Sequence, residues 1–128
     1  MIESENQFAF KDEERNIEVF IKREDLIHPF VSGNKFRKLK YNLLQAKKEN
    51  HTTLLTFGGA FSNHIAAVAM AGKLEGFQTI GIIRGDELAH KIEDNPTLKF
   101  ANENGMQFEF VSRAAYSKKT DIDFLEAL

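Results

Sequence analysis

Apolar and polar positions alternate with a period of two in the first clear element of the sequence, from Glu18 to Arg23. Val19 and Ile21, both β-branched, fall on alternate positions, and this pattern predicts a strand. Further along the chain, short and mostly apolar runs lie between polar or glycine-containing segments. These runs predict three more strands, at residues 53–57, 79–83 and 107–111.

Between these strands, apolar residues recur at helical spacing. A helix is predicted from Lys35 to Glu49, with Asn34 as its cap. Its buried stripe is formed by Phe36, Leu39, Leu43 and Ala46. Further helices are predicted from Ser62 or Asn63 to Glu75, from Asn95-Pro96 to about Asn104, and from about Asp121 through Leu128.

The alternation of helices with short apolar strands predicts an α/β fold, with an open parallel sheet, helices on both faces and three layers. A polar loop at residues 86–94 shows no clear element. The sequence ends inside a predicted helix, which is a poor place for a domain to end. We therefore expect the fold to be incomplete.

Amino-acid composition argues against several classes of function. The net charge of −2 argues against a dedicated nucleic-acid binder. Without cysteine there can be no disulfide, thiolate metal site or cysteine nucleophile, and His28 and His51 lack the spacing of metal ligands. No apolar stretch is long enough to span a bilayer, and the N-terminus is polar. We expect a soluble cytoplasmic protein that binds neither nucleic acid nor membrane.

The first candidate site is the segment 32–39, where Gly33 and Asn34 lead directly into a helix. Lys35 then lies in the first turn, beside the positive end of the helix dipole, which favours its neutral, nucleophilic form. Lys38 is three residues further and shares roughly the same face. One lysine could therefore form an imine while the other holds a phosphate.

A simpler interpretation is that these lysines form the solvated side of an amphipathic helix, together with Arg37 and Lys40. A nucleic-acid patch is a weaker third interpretation, because the rest of the chain is not basic. Glu24 and Asp25 lie close to this segment, and we expect them to be solvated or paired with a nearby lysine.

The second candidate site is the segment 57–64, in which a strand ends in Gly58-Gly59 and a helix begins four residues later. Ligands of open α/β sheets collect at this end of the strands, and free N–H groups at a helix start suit a carboxylate or phosphate. Ser62, Asn63 and His64 add a hydroxyl, an amide and an imidazole. The alternative is purely structural, with Ser62 or Asn63 as a helix cap and His64 as a packing residue.

Three blocks of sequence taken together are more specific than either site alone. They are residues 22–26 (KREDL), 32–39 (SGNKFRKL) and 58–64 (GGAFSNH). In this order and spacing they resemble the signature of the 1-aminocyclopropane-1-carboxylate deaminase and D-cysteine desulfhydrase family of pyridoxal-phosphate enzymes. The resemblance runs from about Ile17 to the C-terminus and implies a tryptophan-synthase-β-like fold, of which this chain would be the N-terminal part.

Carried over position by position, the resemblance implies that Lys35 binds pyridoxal 5'-phosphate covalently and later moves a proton at the substrate's carbon. Lys38 would help to hold the cofactor phosphate, and Asn63 would hydrogen-bond the ring oxygen beside the aldehyde. Ser62 would lie against the substrate as proton donor or nucleophile. The backbone amides from Ser62 to His64 would receive the substrate carboxylate, in agreement with the helix-start argument.

The reaction implied by the resemblance is deamination or β-elimination of a small amino acid, with release of ammonia and an α-keto acid. The cofactor would supply the carbanion chemistry. His64 lies where some deaminases of the family carry Gln, and this difference slightly favours a desulfhydrase. In the desulfhydrases, sulfide is also released. The resemblance also implies a homodimer.

Members of this family are more than twice as long as this chain. By resemblance, residues 1–40 begin the large domain, residues 41–128 form most of the small domain, and the remainder of the large domain is absent. We therefore expect the 128 residues to be inactive alone. An uncovered apolar face on the N-terminal strand and the Lys35 helix would favour aggregation or oligomerisation. The rival hypothesis is a non-catalytic α/β module that binds a small anion or a complementing chain.

Overall fold

The computed structural model describes residues 4–27, 31 and 33–128, apart from the side chains of residues 33, 34 and 36. Several sequence features fall outside this description. They are the predicted loop breakers His28-Pro29 and Ser32, and the side chains of Asn34 and Phe36. The backbone of the first helix begins at Gly33, so Asn34 lies inside the helix and not at the predicted cap position.

The chain begins with a two-stranded antiparallel hairpin, formed by β1 (Asn6–Asp12) and β2 (Ile17–Lys22). The second strand was predicted from its alternation, whereas the first was not. The pairing register shifts between Phe8 and Phe10, and the Phe8 and Phe20 rings meet edge to face at 5.6 Å. Five large apolar side chains of the hairpin are half exposed: Phe8, Phe10, Ile17, Phe20 and Ile21. The predicted uncovered apolar face of the N-terminal strand is therefore present.

After the hairpin, helices and strands alternate. The elements are α1 (Gly33–Lys48), β3 (Thr53–Gly59), α2 (Asn63–Glu75), β4 (Gln78–Arg84), α3 (Pro96–Glu103), β5 (Met106–Val111), α4 (Arg113–Tyr116) and α5 (Ile122–Glu126). The three later strands form a parallel sheet in the order β3-β4-β5. The predicted parallel α/β sheet is confirmed.

Helices lie on both faces of this sheet. On one face α2 packs against β3 and β4, while α3 packs against α2 and β5. Successive strand residues point to opposite faces, so Phe57 projects away from its neighbour Thr56, which contacts α2. Tyr116 of α4 covers Phe57, with ring centroids 6.1 Å apart. The arrangement therefore has three layers.

The core lies between the sheet, α2 and α3. Ile65, Ile83 and Leu98 are fully buried there, and Leu39 brings α1 into the same cluster. Removal of a large apolar side chain from water stabilises the fold by about 1.5–3 kcal/mol. This packing fixes α1 beside α2, and so brings the two predicted sites onto neighbouring elements.

Local signals set most helix boundaries. Ser62 caps α2, and Gly76 ends it with a left-handed φ of 78°. Asn95 accepts hydrogen bonds from the N–H groups of Thr97 and Leu98, with Pro96 as the first helical residue. Three further details differ from the sequence prediction. The short helix α4 was not predicted, the last helix ends at Glu126 and does not continue through Leu128, and residues 86–88 of the predicted loop form a single 3-10 turn.

Candidate active site

The turn from β3 into α2 is compact. The N–H of Ser62 donates to the Gly59 carbonyl at 3.0 Å, and the Ser62 hydroxyl oxygen accepts from the N–H of His64 at 3.2 Å. A Cβ on Gly58 would lie only 2.5 Å from Cγ1 of Ile65. Glycine at this position therefore lets the first turn of α2 approach the end of the strand.

His64 is partly buried in that first turn and is held by the sheet. Its Nε2 lies 2.9 Å from the hydroxyl oxygen of Thr56, a buried residue in the middle of β3. Burial lowers the pKa of His64, and the charges of Lys35 and Lys38 lower it further. The imidazole is therefore neutral at neutral pH and offers one N–H and one lone pair.

The same electrostatic effect locates the two predicted lysines. Lys35 and Lys38 lie on α1, and their charges act on His64 across the contact between α1 and α2. Lys35 is half-buried and Lys38 is exposed. Within the described residues neither amine has an ion-pair partner. Two amines without ion-pair partners among the described residues therefore lie on the helix that packs against α2.

Asn63 lies at the first position of α2, with its side chain exposed. In the described part of the chain, neither its backbone N–H nor its amide has a hydrogen-bond partner. An unpartnered N–H at the positive end of a helix is suited to an anion. With the two nearby amines, the region could hold a carboxylate or a phosphate.

Acidic residues near the first site pair with arginines, not with the lysines that the sequence suggested. Glu24 accepts from Arg37 at 3.0 Å (Nε) and 2.6 Å (Nη2), and from the hydroxyl of Ser4 at 2.8 Å. The Arg37 hydrogen bonds, followed by that of Ser4, lower the pKa of Glu24 to about 2. Asp25 pairs with Arg23 in the same way. Lys35 and Lys38 are thus left without these carboxylates.

The remaining candidates do not form a second centre. Among the described residues, the one hydrogen bond of the His51 side chain is to Glu49, at 3.1 Å. No group of three histidine or acidic side chains that could hold a metal ion occurs among the described residues. Tyr116 packs on Phe57, and Tyr41 is exposed. Among the described residues, none of the helices combines the length and apolar character needed to cross a bilayer.

Comparison with known proteins gives no matching family model. Individual relatives do match. The chain is 37% identical over 75 residues to a putative 1-aminocyclopropane-1-carboxylate deaminase of Pyrococcus abyssi, covering 59% of this chain and 23% of the relative. It is 43% identical over 58 residues to a D-cysteine desulfhydrase of Salmonella paratyphi C, covering 44% and 18% respectively.

Over part of its length, the chain is thus similar to proteins named as deaminases and desulfhydrases of this kind. A bifunctional D-cysteine desulfhydrase and 1-aminocyclopropane-1-carboxylate deaminase of Arabidopsis thaliana is also 37% identical, over 71 residues. The resemblance predicted from the three sequence blocks is therefore confirmed. The matched segments cover only about a quarter of the length of these curated relatives.

Solved structures give the same result for the fold. A crystal structure of a 1-aminocyclopropane-1-carboxylate deaminase homologue superposes with a TM-score of 0.65 and 28% identity, covering 87% of this chain and 33% of that one. A hydrogen sulfide-producing enzyme of Fusobacterium nucleatum gives a TM-score of 0.60 at 11% identity, covering 97% of this chain and 39% of that one. The second likeness concerns the fold alone.

Sequence reasoning missed Thr56 and the partner of Glu24. Thr56 stood out only as one residue of a short strand, and nothing in a separation of eight residues links it to His64. Arg37 was grouped with the solvated basic residues, although it is thirteen residues from Glu24 and joined to it. Both pairings depend on how elements pack, so no local signal could have identified them.

Proposed function

We propose that this chain is the N-terminal part of a pyridoxal-phosphate-dependent deaminase or lyase that acts on a small amino acid. The observation that carries the proposal is the contact between the helices α1 and α2. Lys35 and Lys38 on α1 lie close enough to His64 on α2 to lower its pKa. Two unpaired amines and a helix start are thereby combined at the carboxyl end of a parallel strand, where α/β folds bind ligands.

The donor set suits the proposed cofactor. A primary amine such as Lys35 is the group that condenses with an aldehyde, and a second cation at Lys38 suits a phosphate. The unpartnered N–H of Asn63 provides a further anion donor. When bound, pyridoxal phosphate would supply an electron sink for a carbanion at the substrate's α-carbon.

The chain's own residues would orient the substrate and move protons. Lys35, half-buried and without a counter-charge, is the candidate to take or return a proton at the substrate's carbon. The Ser62 oxygen accepts from the N–H of His64, which leaves its hydroxyl hydrogen free to be donated to the substrate. His64 and the Asn63 N–H would hold the substrate carboxylate. In this proposal the substrate carboxylate lies at the positive end of α2, and the cofactor phosphate lies near Lys38 of α1.

We further propose that residues 1–40 start a larger domain and that residues 41–128 form most of a smaller one. The hairpin supports a separate N-terminal unit, because its strands contact chiefly each other and its apolar side chains stay half exposed. The helix α1 runs unbroken across residue 40, and its Leu39 packs into the core of the second unit, so α1 joins the two. The matched segments also cover only about a quarter of the relatives' length. We therefore expect cofactor binding to be weak and turnover to be absent in the 128 residues alone. A homodimer remains a prediction from the family.

The proposal is tested by adding pyridoxal phosphate and recording the visible absorption spectrum. Borohydride reduction followed by peptide mass spectrometry then identifies the labelled amine. We expect a new visible band and a label concentrated on Lys35. Lys35→Ala should abolish both signals. Lys48→Ala, at the opposite end of α1, is the matched control and should change neither.

Labels spread evenly over surface lysines, with the spectrum unchanged by Lys35→Ala, would refute the assignment of Lys35. That outcome would favour the non-catalytic module. Lys38→Ala should keep the label on Lys35 but weaken cofactor binding, because it removes a cation and not the reacting amine. Loss of a charged hydrogen bond would cost about 1.5–3 kcal/mol, or about a tenfold to hundredfold change in affinity.

A further inference from the structure

The contact between Thr56 and His64 joins the middle of β3 to the first turn of α2. Thr56 is only 9% exposed, and its hydroxyl oxygen lies 2.9 Å from Nε2 of His64. The two residues are eight positions apart, so the hydrogen bond holds the imidazole against the sheet. Only one ring nitrogen is used in this way, and Nδ1 has no hydrogen-bond partner in the described part of the chain.

A neutral imidazole carries a single N–H, and the hydrogen bond made by one nitrogen decides where that proton lies. Two arrangements are compatible with the distance. Either Nε2–H donates to the threonine oxygen, or the threonine hydroxyl donates to Nε2. In the second arrangement the proton lies on Nδ1.

The surroundings of Thr56 favour the second arrangement. If its oxygen accepted from Nε2–H, its own hydroxyl hydrogen would need another acceptor. Among the described residues, the only side-chain hydrogen bond of Thr56 is the one to His64. A buried donor without an acceptor is costly, whereas donation to Nε2 satisfies both groups with one hydrogen bond.

We propose that Thr56 is a positioning residue, which donates its hydroxyl hydrogen to Nε2 of His64 and so fixes the imidazole proton on Nδ1. The free Nδ1–H then stands in the same helical turn as the unpartnered N–H of Asn63. The tautomer follows from the contact itself. The role of this Nδ1–H as a second N–H donor to the substrate carboxylate rests on the proposed function.

The tautomer is measured directly by long-range proton–nitrogen correlation spectra of the 15N-labelled chain. His64→Gln assigns the His64 signals among the four histidines. We expect the wild-type proton on Nδ1. Thr56→Val removes the hydroxyl at nearly constant shape and should shift the population toward Nε2–H, while Thr56→Ser should restore the Nδ1–H form.

The matched control is Thr79→Val. Thr79 is also a buried threonine, on the same face of the neighbouring strand β4, and makes no hydrogen bond to His64. It should leave the tautomer unchanged. A wild-type proton found on Nε2 would overturn the proposal without any variant, so it remains refutable even if Thr56→Val does not fold.

The carboxylate role is tested by titrating acetate alone and following the His64 ring nitrogens. If Thr56→Val lowers the Nδ1–H population to about one fifth, apparent binding weakens about fivefold, because affinity scales with the competent population. Equal acetate affinity in the wild-type chain and in Thr56→Val would overturn this role. Acetate needs no cofactor, so a missing pyridoxal-phosphate band would count against the proposed function alone.

Discussion

Replacement of Gly58 by alanine tests the packing of β3 against the start of α2. The added Cβ would lie 2.5 Å from Cγ1 and 2.7 Å from Cδ1 of Ile65, and 3.3 Å from Cβ of Ser62. Ile65 is fully buried in the core, so its side chain cannot swing into solvent. Forcing one extra carbon into a packed core costs about 1–3 kcal/mol. We expect Gly58→Ala to lower the free energy of unfolding by that amount.

The assay is equilibrium urea denaturation monitored by circular dichroism. The urea concentrations at the midpoint of unfolding are compared between variants whose free energy of unfolding falls with urea at the same slope. Gly59→Ala is the matched control. It lies next along the same strand, but a Cβ there meets no heavy atom within 4 Å. We expect its free energy of unfolding to stay within about 0.5 kcal/mol of the wild type.

A double variant separates the clash from other causes. Ile65→Ala alone should destabilise by about 2–5 kcal/mol, because it leaves a cavity. Adding Gly58→Ala to Ile65→Ala should cost much less than it costs in the wild type, since the clashing atoms are gone. If the two effects add without coupling, or if Gly58→Ala is as mild as Gly59→Ala, the steric reasoning is wrong.

Two further predictions concern a charge pair and a helix cap. The pKa of Glu24 is lowered to about 2 by Arg37, so its ion pair stabilises the fold above the ordinary carboxyl value of 4.5 and that stability is lost as the pH falls toward 2. The difference in free energy of unfolding between the wild type and Glu24→Gln should therefore be constant above about pH 5 and shrink in acid. Urea denaturation at a series of pH values measures this difference, and a difference that grows in acid would contradict the prediction. Asn95→Ala should cost about 1–2 kcal/mol in thermal or urea unfolding, because Thr97 and Leu98 lose a shared acceptor, whereas Asn95→Asp should keep most of the stability. Equal losses in both Asn95 variants would show that the cap is not the cause.

Local chemistry explains where prediction from sequence succeeded. Asn95-Pro96 marks a helix start because the cap and the fixed proline φ act within one turn. Gly76 marks a helix end because a left-handed φ is easy for glycine. The three parallel strands were predicted because each is a short, mostly apolar run, and the central strand β4 is buried on both faces.

Prediction failed where an element depends on a partner. β1 was missed because its residues lie in a polar N-terminus and become a strand only by pairing with β2. The partner of Glu24 was expected to be a lysine, but the chain path brings Arg37 to it instead. The end of the last helix at Glu126 was likewise not marked by any local stop signal.

By itself, the sequence determined the order of helices and strands from β2 to β5, the caps of α2 and α3 and the family signature, because periodicity, capping and turn chemistry act between near neighbours. It also carried the candidate residues Lys35, Lys38, Ser62, Asn63 and His64 as two separate segments. Only the tertiary structure decided that these segments meet. Packing of Leu39 into the core brings α1 against α2, and because of this contact the charges of Lys35 and Lys38 lower the pKa of His64. Likewise, Thr56 reaches His64 only because β3 lies beneath α2.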